Sequence, residues 1–115
     1  VCDRFADSTM AYQGYGQGAD RAAIATLTGL LGLRPDLTLV LDVGVPTSLA
    51  RLRARGDAAD RYESLGERFF ARIRDGFRAI AAAEPGRCVV IDAEADEDSV
   101  AAAIWQAVTD RFGAP

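Results

Sequence analysis

The sequence predicts an α/β domain with a parallel sheet, and three observations lead to this prediction. Two short apolar runs with β-branched residues, LTLVLDV at 37–43 and RCVVID at 87–92, are typical of buried strands. Each run is followed by a segment with helical spacing of apolar residues. A long helical segment also lies between the two runs, as in the crossover connection that joins parallel strands.

The chain opens on an apolar pair, Val1 and Cys2, which we interpret as the end of a further strand. Two complete strands and one such stub are too few for a stable sheet that is covered on both faces. We therefore expect residues 1–115 to be the C-terminal part of one larger domain.

Start and stop signals delimit the first two helices. Asp20 is placed to cap a helix that carries Ile24, Leu27 and Leu31 and ends near Gly32. After the strand at 37–43, Pro46 in a first turn and Gly56 at an end predict a second helix.

The longest predicted helix spans residues 62–83, and the last one follows a cap at Asp96. The apolar stripe of the long helix consists of Tyr62, Leu65, Phe69, Ile73, Phe77 and Ile80. Its opposite face is charged and includes Arg72, Arg74 and Arg78, for which we expect only solvation. In the last helix Val100, Ile104, Val108 and Phe112 recur every four residues.

Composition excludes several kinds of function. The formal net charge is -4 at pH 7, which argues against a nucleic-acid partner. All 13 basic residues are arginine, so the chain has no histidine base, histidine metal site or Schiff-base lysine. No apolar run is long enough to span a membrane. Cys2 and Cys88 form no CxxC pair and are expected to be buried, reduced thiols of a cytoplasmic protein.

Polar residues follow the predicted strands at the sheet edge where parallel α/β domains bind ligands. Asp3 and Arg4 follow the first run, Asp42 ends the second, and Asp92 and Ala93 end the third. A carboxylate there can hold Mg²⁺ or its waters, and a guanidinium can fork onto a phosphate. Taken alone, the Asp3–Arg4 pair is more typical of an ordinary surface ion pair.

The segment at 51–63, RLRARGDAADRYE, concentrates arginines around a small Gly-Asp-Ala-Ala stretch. One interpretation is a helix end with cations near its negative pole. The other, which the arginines on both sides favour, is a lid that brings guanidiniums onto a polyphosphate. GYGQG at 14–18 lacks the dinucleotide spacing and is expected to form a pliable turn beside a ligand.

Three motifs in this order resemble thymidylate kinase, a P-loop nucleoside monophosphate kinase, and they extend over essentially the whole chain. The first is D-R-[FY]-x-x-S-x-x-A-Y-Q-G at Asp3–Gly14, and the second is P-D-L-T-L-x-L-D at Pro35–Asp42. The third is the arginine-rich segment that ends in D-R-[YF]-E at Asp60–Glu63. The resemblance implies a three-layer α/β/α fold with a parallel sheet. It also implies that residues 1–115 are the C-terminal part of a single thymidylate kinase domain.

The resemblance implies the reaction ATP + dTMP → ADP + dTDP, a step of dTTP biosynthesis, with Mg²⁺ as the metal. Residues 1–18 would form the dTMP site and residues 51–63 the lid. On the dTMP side, Arg4 would bind the phosphate and Asp3 would lie at that phosphate and the metal waters. Ser8 and Thr9 would lie at the thymine edge, and Tyr12 and Gln13 beside the sugar. On the ATP side, Arg51 and Ala93 would lie near the adenine, and Arg55 and Arg61 at the transferring phosphoryl group. Arg4, Asp3 and Arg55 would be catalytic. Family members are typically homodimers.

The chain departs from the family in having no G-x-x-x-x-G-K-[ST] sequence. The P-loop strand of the family would lie between Val1–Cys2 and the strand at 37–43. We therefore expect the 115 residues alone to bind nucleotides weakly and not to catalyse. Two alternatives remain open: another kinase of the class, acting on a deoxynucleoside or a different monophosphate, and a non-catalytic nucleotide-binding relic.

Overall fold

Two parallel strands in register form the centre of the fold. Strand β1 (Thr38–Asp42) pairs with β2 (Cys88–Asp92), so that Thr38 lies opposite Cys88 and Asp42 opposite Asp92. Both predicted strands are confirmed. Because the two strands end together, their terminal aspartates lie at one edge of the sheet, where the backbone N–H of Ala93 donates to the Asp42 carbonyl at 2.8 Å.

The structure, a computed structural model, describes residues 1–56 and 66–115. Besides the strands these ranges contain α1 (Ala6–Thr9), the π-helix π1 (Met10–Gly16), α2 (Arg21–Leu30), α3 (Val45–Arg55), α4 (Gly66–Ala83) and α5 (Glu97–Phe112). The second half of the predicted lid, with Arg61 and the motif at Asp60–Glu63, lies outside the described residues. So does the predicted start of the long helix at residues 62–65. No helix in the described ranges is both long and apolar enough to cross a membrane.

The strand predicted at Val1–Cys2 is wrong, because neither residue belongs to the sheet. In the described chain β1 has β2 as its neighbour, and Val1 is completely exposed. The prediction that both thiols are buried is also half wrong. Cys2 is exposed, whereas Cys88 is buried in the sheet, and burial raises the pKa of its thiol.

Helix α4 contributes to both apolar clusters of the core. One cluster joins it to the sheet through Val40, Ala81 and Cys88. The other joins it to π1 through Ala11, Phe69 and Ile73. The predicted stripe of the long helix is confirmed for Phe69 and Ile73, which are buried, and for Phe77 and Ile80, which are partly buried against the clusters.

Glycines let π1 approach its neighbours closely. Tyr12 accepts from the backbone N–H of Gln17 at 3.0 Å, five residues later, which is the π-helical spacing. A Cβ on Gly16 would lie 3.0 Å from the Phe69 ring. The pliable turn predicted at 14–18 is therefore wrong for Gly14 and Gly16, which are buried inside the helix. Of the three glycines in this segment, Gly18 alone has a positive φ.

Local start and stop signals are confirmed. Asp20 accepts from the backbone N–H of Ala22 at 2.9 Å at the start of α2, and Asp96 does the same for Ser99 in α5. Gly56 ends α3 with a φ of 78°. The apolar face of α2 is not core, however, because Leu27 and Leu31 are exposed.

A buried arginine connects four segments at the other end of the sheet. The Arg87 guanidinium donates to both carboxylate oxygens of Asp7 at 2.7 and 3.1 Å and to the Thr38 hydroxyl at 2.6 Å. It also contacts Glu84, which in turn pairs with Arg34. The Asp7 carboxylate raises the pKa of Arg87, so this cation stays charged although its side chain is only 10% exposed.

Substitution of Gly76 tests the packing of α4. A Cβ at this position would lie 2.7 Å from Tyr15 Cγ, at the base of the ring, where rotation of the side chain gives little relief. We expect Gly76→Ala to lower the free energy of unfolding by about 1–3 kcal/mol, measured by urea denaturation.

Gly29→Ala is the matched control, because Gly29 lies in α2 with nothing within 4 Å of its added Cβ. It should leave stability unchanged or raise it by up to about 1 kcal/mol through helix propensity. Equal effects of the two substitutions would contradict the packing described for Gly76.

Candidate functional site

A cleft of about 330 Å³ opens at the carboxyl end of β1. Its walls come from π1, the end of β1, α3 and α4. The polar and aromatic residues that line it are Tyr12, Asp42, Ser48, Arg51, Arg55, Phe70, Arg74 and Phe77. Its described lining residues therefore include three arginines and a single carboxylate, and the cleft can attract an anion.

Helix α3 brings two of the predicted site residues to this cleft. Arg51 and Arg55 are four residues apart, so they lie on one face of the helix. Arg51 Nη2 donates to the Ala93 carbonyl at 3.0 Å, which joins the two residues assigned by resemblance to the adenine side. Arg55 lies in the last turn, directly before Gly56.

Glu94 holds the start of α3, although no motif or spacing in the sequence singled it out. Its carboxylate accepts from the Gly44 backbone N–H at 2.6 Å and from the Thr47 hydroxyl at 2.9 Å. These hydrogen bonds lower the pKa of Glu94, and the one from the Gly44 backbone has the largest effect. Gly44 permits this close approach, because an added Cβ would lie 2.9 Å from Glu94 Oε1 and the Glu94 side chain would have to shift.

Arg4 does not line the cleft, but it packs on Tyr12, which does. Its guanidinium carbon lies 4.5 Å from the centre of the Tyr12 ring, and Nε donates to the Ser8 hydroxyl at 3.3 Å. Arg4 has a φ of 65°, an uncommon value for a residue with a side chain. The Tyr12 ring itself packs edge-on against Phe69 and Phe77 of α4.

The charged face of α4 is more than the solvated surface that we expected. Arg74 forks onto Asp42, with Nε 2.8 Å from Oδ1 and Nη2 3.0 Å from Oδ2. This pairing lowers the pKa of Asp42. Arg72 donates to the Gly16 carbonyl at 3.1 Å and ties α4 to the end of π1. The pattern of the helix could not show these partners, because they lie in distant parts of the chain.

The remaining predicted residues do not line the cleft. Thr9 and Gln13 are exposed on α1 and π1, and Asp3 is exposed before α1. The described residues contain no group of three or more carboxylate or thiol side chains that could hold a metal ion by themselves.

A second, larger cleft of about 760 Å³ lies between α1, α2 and the end of α4. It is lined by Asp7, Arg34, Glu84 and Arg87, whose charges already pair with one another, by Arg21, which lies over the Tyr15 ring, and by mostly apolar residues. None of the predicted site residues in the described ranges reaches it. Size alone therefore does not identify the site, and the smaller cleft, with three arginines and one carboxylate among its described lining residues, has the larger excess of positive charge.

Comparisons with known proteins agree on one family. The family model described as thymidylate kinase matches residues 1–104. A thymidylate kinase of Caulobacter vibrioides is 52% identical over 115 residues, which are 98% of this chain and 55% of that protein. A thymidylate kinase of Trichlorobacter lovleyi is 45% identical, over all of this chain and 58% of that protein.

A solved structure gives the same result for the fold. The crystal structure of thymidylate kinase from Ehrlichia chaffeensis superposes with a TM-score of 0.64 at 36% identity, over 94% of this chain and 47% of that one. The α/β fold of a P-loop kinase predicted from the motifs is thereby confirmed. The chain spans about half the length of these relatives.

The capping carboxylate of Glu94 predicts how stability depends on pH. Because the folded state lowers its pKa below the ordinary 4.5, the ionised group stabilises the fold above that pH, and the gain is lost as pH falls through the lowered pKa. Glu94→Gln should be less stable than the wild type at neutral pH. The difference should shrink between about pH 6 and pH 3 in urea denaturation.

Glu97→Gln removes a carboxylate from the first turn of α5 and serves as the control. At neutral pH it should lower stability less than Glu94→Gln does, because the Glu94 carboxylate joins two distant segments of the chain. A constant stability difference between Glu94→Gln and the wild type across this range would contradict the capping role.

Proposed function

The chain belongs to the thymidylate kinase family, and on that premise we propose that the whole protein transfers the γ-phosphoryl group of ATP to dTMP, giving ADP and dTDP. One observation carries the proposal. Arg51 and Arg55 of α3 share a cleft with Tyr12 of π1, and Arg4 lies on the Tyr12 ring. This arrangement supports a proposal in which Arg51 and Arg55 serve the ATP side from within the cleft and Arg4 serves the dTMP side from beside its wall.

The chemistry needs what this cleft supplies. A phosphoryl group passes between two oxygens in line, and catalysis consists mainly of positioning and charge neutralisation. The acceptor oxygen belongs to a phosphate monoester whose second pKa is about 6, so it is largely a dianion at neutral pH and requires no strong base. Arginines stay charged and fork onto phosphate oxygens, which fits a site without histidine or lysine.

On the dTMP side, Arg4 would bind the acceptor phosphate, and Ser8, which would lie with Thr9 along the thymine edge, would also hold the Arg4 side chain. The support is their hydrogen bond of 3.3 Å. Tyr12 would border the sugar from the cleft wall. Thr9 and Gln13 would complete the thymine and sugar contacts of the segment 1–18.

On the ATP side, Arg51 and Ala93 would border the adenine, and their direct hydrogen bond supports this pairing. Arg55 would reach the transferring phosphoryl group, together with Arg61 of the lid at 51–63. In this role a guanidinium neutralises the charge that builds up on the phosphoryl oxygens in the transition state.

Mg²⁺ is part of the proposed reaction, and Asp3 would hold it through a carboxylate oxygen or bound waters. A single exposed carboxylate fits Mg²⁺, which commonly keeps several waters and takes its other ligands from substrate phosphates. When bound, the ion neutralises charge on the phosphates.

We also propose a cytoplasmic homodimer. The free thiols of Cys2 and Cys88 agree with a reducing compartment. The apolar side chains Leu27, Leu30 and Leu31, exposed along α2, agree with a surface that a second copy covers.

A coupled assay of ADP release by the whole protein tests the reaction. Rapid turnover with ATP and dTMP, and none with ATP and thymidine, is the expected result. Phosphorylation of thymidine in place of dTMP would identify a deoxynucleoside kinase. Absence of turnover with every acceptor would identify the non-catalytic alternative.

Substitution of Arg55 tests its place in the transition state. In the whole protein Arg55→Ala should lower kcat by about 10²-fold or more and leave the dTMP affinity nearly unchanged, because its contact forms mainly in the transition state. Steady-state kinetics with both substrates varied measures this. A rise in the dTMP KM with kcat unchanged would assign Arg55 to substrate binding instead.

Substitution of Arg4 should have the opposite kinetic signature. Arg4→Ala removes a charge-assisted hydrogen bond to the dTMP phosphate and should weaken dTMP binding by about 10- to 100-fold, measured by calorimetry. Arg68→Ala, an exposed arginine of α4 that does not line the cleft, is the control for the loss of one positive charge. Unchanged dTMP affinity in Arg4→Ala would contradict the assignment.

A further inference from the structure

Arg74 and Asp42 form a two-bond fork in the wall of the cleft. Asp42 ends β1, and Arg74 lies in the middle of α4, 32 residues later. The Arg74 side chain is 36% exposed and that of Asp42 is 18% exposed, so the pair lies at the border between core and solvent. Arg51 and Arg55 line the same cleft.

The fork uses one edge of the guanidinium and leaves another available. Nε and Nη2 donate to the two oxygens of Asp42. In the described residues Nη1 has no hydrogen-bond partner. Since a guanidinium carries five N–H donors in a rigid plane, the edge formed by Nη1 and the second hydrogen of Nη2 can fork onto another anion.

The surroundings restrict what that anion can be. Arg51 donates one hydrogen bond to Ala93, and Arg55 is exposed at the end of α3. Three guanidiniums on one cavity, with Asp42 as the only carboxylate among its described lining residues, leave an excess of positive charge. An oxygen-rich anion with several negative charges, such as a polyphosphate, matches this wall.

We propose that Arg74 is a further phosphate-binding residue of the cleft and that Asp42 is the positioning residue that orients it. The inference rests on the proposed function and adds a contact from α4 to the nucleotide phosphates. By holding one edge of the guanidinium, Asp42 removes the rotational freedom of a long side chain before the ligand arrives. Less entropy is then lost on binding.

The proposed role and a simple ion pair predict opposite changes in anion affinity when Asp42 is neutralised. If Asp42 only offset the charge of Arg74, its neutralisation would free a cation and strengthen the binding of anions. If Asp42 orients Arg74, the substitution Asp42→Asn breaks the fork, because an amide nitrogen would then face a guanidinium donor. Anion binding would weaken although the chain became less negative.

Titration of the whole protein with inorganic tripolyphosphate, followed by NMR chemical shifts, distinguishes the positioning role from the simple ion pair. We expect Asp42→Asn and Arg74→Lys each to weaken binding by about 3- to 10-fold, and Arg74→Met by about 10-fold or more. In the Arg74→Met background, Asp42→Asn should cause no further loss. Stronger or unchanged binding by Asp42→Asn alone would overturn the inference, as would absence of tripolyphosphate binding by the wild-type chain.

Two matched substitutions on α4 control for charge. Asp75→Asn removes a negative charge one residue from Arg74, and Arg68→Met removes a positive charge outside the cleft. They should shift affinity by less than about 2-fold, because exposed charges are screened. Thermal melting by circular dichroism tests whether each variant is folded. If Arg74→Met is unfolded, the milder Arg74→Lys takes its place.

The outcomes separate this inference from the proposed function. Tripolyphosphate binding requires neither dTMP nor turnover, so the predicted order of affinities can hold even if the whole protein does not phosphorylate dTMP. Conversely, turnover of dTMP together with unchanged tripolyphosphate binding in Arg74→Met would remove Arg74 from the site and leave the kinase assignment intact.

Discussion

The close packing of α4 between the sheet and π1 is the constraint on which the rest of the structure depends. At one contact Gly16 of π1 admits the Phe69 ring, and at another Gly76 of α4 admits the base of Tyr15. These contacts leave little freedom in the separation of the two helices, because a single added methyl group would already collide. They also fix the Tyr12 ring against Phe69 and Phe77. Through Tyr12 the packing of the core determines where Arg4 lies, although Arg4 itself is exposed.

Charged side chains hold the sheet at both ends, with different consequences. At the amino ends of the strands Arg87 is buried, and its fork onto Asp7 ties α1 to the start of β2. Breaking such a pair leaves an uncompensated charge in a low dielectric, so it restricts the fold more than it attracts ligands. At the carboxyl ends the Arg74–Asp42 pair is partly exposed and lies on a cavity. The same chemistry is structural at one end and accessible to ligands at the other.

Local features were predictable from the sequence, and distant pairs were not. The strands at 37–43 and 87–92, the caps Asp20 and Asp96 and the stop at Gly56 follow from residues within one turn of each other. The predicted cleft residues Arg51, Arg55 and Tyr12 came from motif order, and their shared cavity required the fold. The partners of Arg74, Gly44 and Arg87 lie 32, 50 and 80 residues away, and no periodicity records such distances. The apolar face of α2 shows another limit of the sequence. An apolar pattern marks a face that can be buried, but it does not show whether a segment of the same chain covers that face.

The three arginines of the cleft and the neighbouring Arg4 differ in how firmly the protein holds their side chains before a ligand binds. Arg51 is held by the Ala93 carbonyl, Arg74 by Asp42, and Arg4 by Ser8 and the Tyr12 ring. Groups fixed in this way suit the binding of a ground state, since they lose little conformational entropy when the ligand arrives. Arg55 has no such hydrogen bond within the described ranges and lies in the last turn of α3. A side chain that finds its partner only when charge develops contributes to rate and not to substrate affinity, which is the division of labour that phosphoryl transfer favours.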